Sequence, residues 1–165
     1  MDFRIGFSKD IHRLVENKTL IIGGVIIPYH LGELAHSDGG VLYHALAESI
    51  LGALALGDLG THFPDDSNKT LGMNSADIVN KVVTMMLEQG YEVNNVDLFI
   101  SLEKPKLKDY IPQIRQNVAA ILNVPVNVIS VKAGTNEGVG PVGEGLAIEA
   151  TSTILLRKKV IANLD

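Results

Sequence analysis

The stretch that most constrains the fold is an apolar helix with a polar loop at each end. Residues 41–56 (VLYHALAESILGALAL) are apolar at nearly every position. A helix that is apolar on all sides is buried in a core. Polar segments precede it at 36–40 (HSDGG) and follow it at 58–66, after Gly57, a residue type that commonly ends helices. We therefore predict a buried helix that presents chemical groups at its two ends.

Strand and helix patterns alternate along the rest of the chain. Two short apolar runs, 20–22 and 25–27, flank Gly23-Gly24 and predict a tight hairpin. Strands are predicted at 3–7, 95–102, 128–132 and 146–156, and two amphipathic helices follow caps at Ser75 and Asp109. These elements predict one domain over 1–165 of the α+β class (an α/β sandwich), with a mixed four-stranded sheet, helices packed on one face and a small hairpin.

Composition excludes several kinds of function. The chain of 165 residues has no cysteine, so it forms no disulfide, thiolate metal site or cysteine nucleophile. A net charge of −5 and scattered lysines disfavour nucleic-acid binding, which needs a positive face. Because no apolar segment approaches the length of a membrane span and no leader pattern is found, a cytoplasmic, bacterial location is expected.

A metal-ligand pattern is present in Asp10-x-His12. Residues two apart in an extended chain point to the same side, so both side chains reach one ion, and His44 can supply a third ligand. Two imidazoles and one carboxylate leave one position of a tetrahedral zinc open, as in catalytic sites. Glu48, one helical turn later, is a candidate to orient His44. The alternative is a chance pattern and an ordinary helix histidine.

Four other segments are candidates for contacts with a polar ligand, and each has a simpler explanation. His36-Ser37, ahead of the helix, can receive an anion or cap the helix. The turn at 57–65 suits sugar hydroxyls or ordinary turn chemistry. The loop at 104–106 can meet phosphate or lie in solvent. Thr135 and Glu137, after a strand, offer a hydroxyl donor and a hard oxygen ligand for Mg²⁺, or form a plain turn.

Taken together and in order, these motifs resemble one family. The matching segments are Asp10-x-His12, Ile21-Ile22-Gly23-Gly24-Val25-x-Ile27-Pro28-Tyr29, His36-Ser37-Asp38-Gly39 with His44-Ala45-Leu46, Gly57-Asp58-Leu59-Gly60-x-x-Phe63-Pro64-Asp65, Pro105-Lys106 with Ile111-Pro112-Gln113-x-Arg115, and Val131-Lys132-Ala133-x-Thr135-x-Glu137. The pattern is similar to the 2-C-methyl-D-erythritol 2,4-cyclodiphosphate synthases of the non-mevalonate isoprenoid pathway. The resemblance covers nearly the whole chain.

The resemblance implies a phosphorus-oxygen lyase of terpenoid precursor biosynthesis. Its substrate would be 4-diphosphocytidyl-2-C-methyl-D-erythritol 2-phosphate, whose own 2-phosphate attacks the β-phosphorus and releases CMP, leaving a cyclic diphosphate. The resemblance also implies a homotrimer with active sites between neighbouring subunits, and neither nucleic-acid nor membrane partners.

The resemblance also implies roles for individual residues. Zn²⁺ would be held by Asp10, His12 and His44, and Mg²⁺ or Mn²⁺ on the substrate diphosphate by Glu137. His36 and Thr135 would be catalytic. The implied substrate-binding residues are Asp10, His12, His36, Ser37, Asp58, Leu59, Gly60, Phe63, Pro64, Asp65, Leu102, Lys104, Pro105, Lys106, Leu107, Gly134, Thr135 and Glu137.

The chain departs from the family pattern at several positions. Gly40 and Glu48 stand where the family has aspartate, Gly134 replaces threonine, and Ser8-Lys9 replaces the usual approach to the first ligand. Glu144 replaces an arginine that binds anions near the trimer axis. Two alternatives therefore stay open: a metal-binding trimer without catalysis, and a zinc phosphohydrolase that releases a linear phosphate.

Overall fold

The computed structural model describes residues 2–34, 40–64 and 73–160. Its strands are β1 (Phe3–Glu16), β2 (Leu20–Ile22), β3 (Val25–Ile27), β4 (Leu31–Glu33), β5 (Tyr91–Ser101), β6 (Ile129–Gly134) and β7 (Ala147–Lys158). Its helices are α1 (Val41–Ala53), α2 (Leu59–His62), α3 (Ser75–Glu88), α4 (Ile111–Leu122) and α5 (Gly140–Gly143), with a 3₁₀ turn at Val126–Val128. The predicted α+β class is confirmed.

The main sheet has five strands in the order β4-β1-β7-β5-β6, so the prediction of four strands was wrong. β5 and β6 are parallel, and the other neighbours are antiparallel. The additional strand is β4, only three residues long, which pairs with the end of β1. β1 extends nine residues beyond its predicted end and pairs with β7 as far as Arg13. The predicted hairpin is confirmed as the separate ribbon β2-β3.

The helix α1 is buried against β1 and β7, as predicted. It approaches β1 so closely that a Cβ atom on Gly6 would collide with the backbone of Ser49. The helix ends at Ala53, three residues before its predicted end, and Ala55 then adopts a left-handed conformation. Among the parts that the structure describes, no helix is both long and apolar enough to cross a membrane.

Two predicted helix caps were wrong. Asn74 caps α3, with its side-chain oxygen accepting a hydrogen bond from the Asp77 amide at 2.8 Å. Ser75, the predicted cap, instead places its hydroxyl 3.2 Å from His44 Nε2. The cap residue of α4 is Tyr110 rather than Asp109, and it makes no side-chain capping bond. At α3 the adjacent Asn74 and Ser75 are both common cap residues, so the sequence left the choice between them open.

The face of β1 that points away from α1 exposes apolar side chains. Phe3, Ile5 and Phe7 are 46%, 71% and 65% exposed, although they lie on a central strand of the sheet. Exposed apolar side chains that lie together on one surface typically mark a surface that contacts another molecule.

Candidate metal centre

The metal-ligand residues that the sequence predicted are brought together at the junction of β1 and α1. Asp10 and His12 lie on the same face of β1, two residues apart, and their Cα atoms pair with those of Ala150 and Ile148 in β7. His44 lies in the first turn of α1, which packs against the same strands. One ligand atom from each of these three side chains lies within 4.8 Å of the other two. The predicted convergence of the three side chains is therefore confirmed.

The donor atoms suit a divalent cation. Asp10 Oδ2 lies 3.0 Å from His12 Nε2 and 3.2 Å from His44 Nδ1. The three side chains are half-buried, between 14% and 28% exposed, so a further ligand can reach the cluster from solvent. One carboxylate oxygen and two imidazole nitrogens form the donor set of an open, three-ligand site.

The charges of the cluster are strongly coupled. Burial acts to raise the pKa of Asp10, but hydrogen bonds with His12 and His44 outweigh it and hold this pKa well below its usual range. Burial acts in the opposite direction on His12, yet hydrogen bonds with Asp10 and Glu33 raise the pKa of His12 to about 9. Without a metal, the His12 imidazole therefore carries a proton, which a cation must displace to bind there.

Each histidine also uses its second ring nitrogen. His12 Nδ1 lies 2.7 Å from Glu33 Oε2, and His44 Nε2 lies 3.2 Å from the Ser75 hydroxyl. Sequence reasoning missed both partners. The only signal for Glu33 was an acidic residue in the otherwise apolar run 31–34 (LGEL).

Glu48, predicted to orient His44, contacts other groups instead. Its Oε2 accepts a hydrogen bond from the Ser8 hydroxyl at 2.7 Å, and its Oε1 accepts one from the Leu59 amide at 3.4 Å. This carboxylate therefore ties α1 to β1 and to the start of α2. The prediction was wrong because the side chain at position 48 points toward Ser8 rather than back along the helix.

Gly40 packs directly against the cluster formed by Asp10, His12 and His44. A Cβ atom at this position would lie 2.7 Å from His44 Nε2 and would collide with the Ser75 hydroxyl. The aspartate that the resemblance leads one to expect at position 40 has no room in this arrangement. Gly40 therefore allows the contact between His44 and Ser75.

The predicted cytidine loop and glycine-rich loop lie side by side at the ends of the parallel strands β5 and β6. The Leu102 amide donates to the Gly134 carbonyl at 3.0 Å, and the Asn136 amide donates to Glu103 Oε2 at 3.2 Å. Within the second loop, the Thr135 hydroxyl donates to Glu137 Oε1 at 3.0 Å. Of the predicted lining residues, Lys104, Lys106, Thr135 and Glu137 are exposed, whereas Leu102 and Leu107 are buried.

Within one chain, the loop that follows β6 lies well away from the Asp10, His12 and His44 cluster. Asp10, Ala150, Ile100 and Ala133 are successive partners across β1, β7, β5 and β6, so both regions lie toward the same end of the sheet. However, β1 and β6 are three strand spacings apart. At the usual spacing this separates their backbones by about 14 Å.

The predicted sugar-binding turn lies next to α1. Asp58 caps α2, accepting hydrogen bonds from the Thr61 amide at 2.8 Å and the Thr61 hydroxyl at 2.7 Å. These bonds lower the pKa of Asp58. Leu59, Gly60, Phe63 and Pro64 lie in the same partly exposed turn. The predicted residues His36, Ser37 and Asp65 lie outside the described residues.

The fold and the cluster together define an α+β protein with a candidate site for a divalent metal. The profile of the YgbB family matches residues 3–157, and the chain belongs to this family. A relative from Clostridium botulinum (strain Alaska E43 / Type E3), named 2-C-methyl-D-erythritol 2,4-cyclodiphosphate synthase, is 46% identical over 156 residues, which are 94% of this chain and 99% of the relative. The resemblance to the synthases is therefore confirmed.

Solved structures agree with this assignment. The bifunctional IspDF from Campylobacter jejuni superposes with a TM-score of 0.90 at 35% identity; the match covers 95% of this chain but only 42% of that protein. IspF from Plasmodium falciparum, solved as a CDP complex, has a TM-score of 0.84 at 37% identity, with 96% and 97% of the two chains covered.

Proposed function

We propose that this chain converts 4-diphosphocytidyl-2-C-methyl-D-erythritol 2-phosphate into 2-C-methyl-D-erythritol 2,4-cyclodiphosphate and CMP. The main support is the Asp10, His12 and His44 cluster in a chain that is 46% identical to a named synthase over nearly its full length. The nucleotide bound by the Plasmodium falciparum relative supports a cytidine-containing substrate. Because nucleophile and leaving group belong to one substrate, the protein requires no nucleophile of its own.

Asp10, His12 and His44 would hold a zinc ion. A bound zinc ion would polarise and orient the β-phosphate of the substrate as a Lewis acid. The protein's contribution is then to hold the attacking 2-phosphate in line with the β-phosphorus and to oppose developing negative charge.

The loop residues would bind the rest of the substrate. Thr135 would donate its hydroxyl proton to a phosphoryl oxygen in the transition state, and Glu137 would be a ligand for Mg²⁺ or Mn²⁺ on the diphosphate. The loop at 102–108 would hold the cytidine, and its Lys104 and Lys106 would offset phosphate charge. Leu102, Pro105 and Leu107 would fix the conformation of this loop. Residues 58–60, 63 and 64 would contact the sugar. The roles of His36, Ser37 and Asp65, and a cytoplasmic location, stay predictions.

The complete site would form between subunits of a homotrimer. Two observations support this assembly: the Thr135 and Glu137 loop lies about 14 Å across the sheet from the metal cluster, and the outer face of β1 exposes Phe3, Ile5 and Phe7. Packing these faces together would remove their apolar area from water and place the loops of one subunit near the cluster of the next.

The proposed reaction is tested by incubating purified protein with Zn²⁺, Mg²⁺ and the cytidyl substrate, and following both products by phosphorus NMR. We expect stoichiometric CMP and cyclic diphosphate. Zinc binding without CMP would instead identify a binding protein. Release of a linear phosphate containing oxygen from labelled water would identify a phosphohydrolase. Either result would contradict the proposed cyclisation.

Zinc binding is expected to release a proton. The pKa of His12 in the metal-free protein is about 9, so this imidazole is protonated at pH 7 and must lose its proton to become a ligand. We therefore expect about one proton per zinc at pH 7, and an apparent affinity that rises roughly tenfold per pH unit up to about pH 9. Calorimetry in buffers of different ionisation enthalpy measures this proton count. Buffer-independent heats would contradict the prediction.

A further inference from the structure

Glu33 is a buried carboxylate at the back of the metal cluster. It is the last residue of β4, and its side chain is 0% exposed. Its Oε2 lies 2.7 Å from His12 Nδ1 and accepts a hydrogen bond from the Val41 amide at 3.0 Å. Its Oε1 is buried and has no hydrogen-bond partner among the residues described. This environment therefore satisfies only one of the two carboxylate oxygens.

Burying a carboxylate is costly unless a compensating charge lies nearby. Within 2–34, 40–64 and 73–160, no Lys or Arg side chain forms an ion pair with Glu33, and its ion-pair partner there is His12. A purely structural role would explain only the bond to Val41, which satisfies an amide at the start of α1. That role needs an acceptor, which an uncharged amide would also provide. A charge at this position is explained by its ion-pair partner, the His12 ring, and by the metal that this ring would hold on its other side.

The ring of His12 connects Glu33 to the metal cluster. Glu33 contacts Nδ1, and the opposite nitrogen, Nε2, faces Asp10 Oδ2 at 3.0 Å. By accepting a hydrogen bond from Nδ1–H, Glu33 fixes the neutral imidazole in the tautomer whose Nε2 lone pair points into the cluster. Two carboxylates, Asp10 and Glu33, then match the charge of one divalent cation.

We propose that Glu33 is a positioning residue of the metal centre, which fixes the tautomer and ring orientation of His12 and supplies the second negative charge that balances a divalent cation. Its effect passes through His12, because it does not itself reach the position where a ligand atom would lie. The proposal rests on the part of the proposed function that assigns Asp10, His12 and His44 to a metal. It does not depend on the cyclisation reaction.

The test compares Glu33→Gln with Glu48→Gln. Both replacements remove a carboxylate charge near the cluster, but Glu48 contacts Ser8 and Leu59 rather than a metal ligand. Zinc affinity is measured on folded protein by competition with a chromogenic chelator, and the geometry of the site by the visible spectrum of the Co²⁺ form. We expect Glu33→Gln to weaken zinc binding about 10- to 100-fold and to alter the Co²⁺ spectrum. Glu48→Gln should change the affinity by less than about twofold.

A folded Glu33→Gln protein with wild-type zinc affinity and an unchanged Co²⁺ spectrum would overturn the proposal. A second measurement covers the case in which this variant does not fold. In the wild-type zinc form, ¹⁵N NMR of the histidine rings should show His12 with a protonated Nδ1 and a metal-bound Nε2; the reverse assignment would overturn the proposal. Wild-type protein that binds zinc without producing CMP would reject the proposed reaction while leaving Glu33 open to the same test.

Discussion

Replacing His44 with alanine is expected to abolish both zinc binding and CMP formation. The wild-type protein should contain about one zinc per chain, and His44→Ala less than about a tenth of that, because a three-ligand site that loses one ligand retains only two protein donors. Activity should fall on the order of a thousandfold or more, since the charge on the reacting phosphates is then no longer neutralised at this position. Metal analysis after dialysis and the CMP assay measure the two effects.

The replacement should leave the fold intact. Alanine is the best helix former, and the imidazole of His44 is partly exposed rather than part of the core. His30→Ala is the matched control, because His30 is exposed and its described ring contact is with Tyr29. It should keep full zinc and activity. Full zinc occupancy in His44→Ala would contradict the assignment of the site.

The convergence of the three candidate metal ligands could be predicted from sequence because their geometry follows from local periodicity. Asp10 and His12 share a side because strand side chains alternate, and His44 had to lie near one end of a helix too apolar to be exposed. Their partners could not be predicted in this way. Glu33 reaches His12 only because β4, a strand of three residues, pairs with the end of β1. No periodic pattern identifies so short a strand.

Long-range packing also decided the roles that local signals left ambiguous. Asn74 and Ser75 are both good cap residues; Asn74 caps the helix, whereas the Ser75 hydroxyl lies 3.2 Å from His44 Nε2. Glu48 was predicted to contact His44 from its helical spacing alone, but Ser8, on a strand forty residues earlier, lies within hydrogen-bond distance of it. Sheet order, which sequence did not provide, sets the distance between the metal cluster and the Thr135 loop.

That distance leads to the second large effect, recovery of activity when two inactive variants are combined. His44→Ala damages the metal half of the proposed site, and Glu137→Ala damages the loop half. If each site combines the metal half of one subunit with the loop half of its neighbour, a mixed trimer contains intact sites. Random mixing of equal amounts of the two chains makes about one quarter of the sites wild type, because each half has an even chance of being intact.

Purification of co-expressed chains through two different affinity tags removes the parent trimers, and each mixed trimer has one intact site in three. The mixed trimers should therefore recover about a third of wild-type activity, while each parent trimer stays near background. The matched control combines His44→Ala with His12→Ala. Both replacements damage the metal half, so activity should not recover, although the subunits mix equally well.

If the first pair stays inactive while tag recovery proves that mixed trimers formed, the site lies within one chain. The loop at 134–137 would then have to cross about 14 Å of sheet to reach the metal. The hydrogen bonds that tie this loop to 102 and 103 oppose such a movement, so recovery of activity is the expected result.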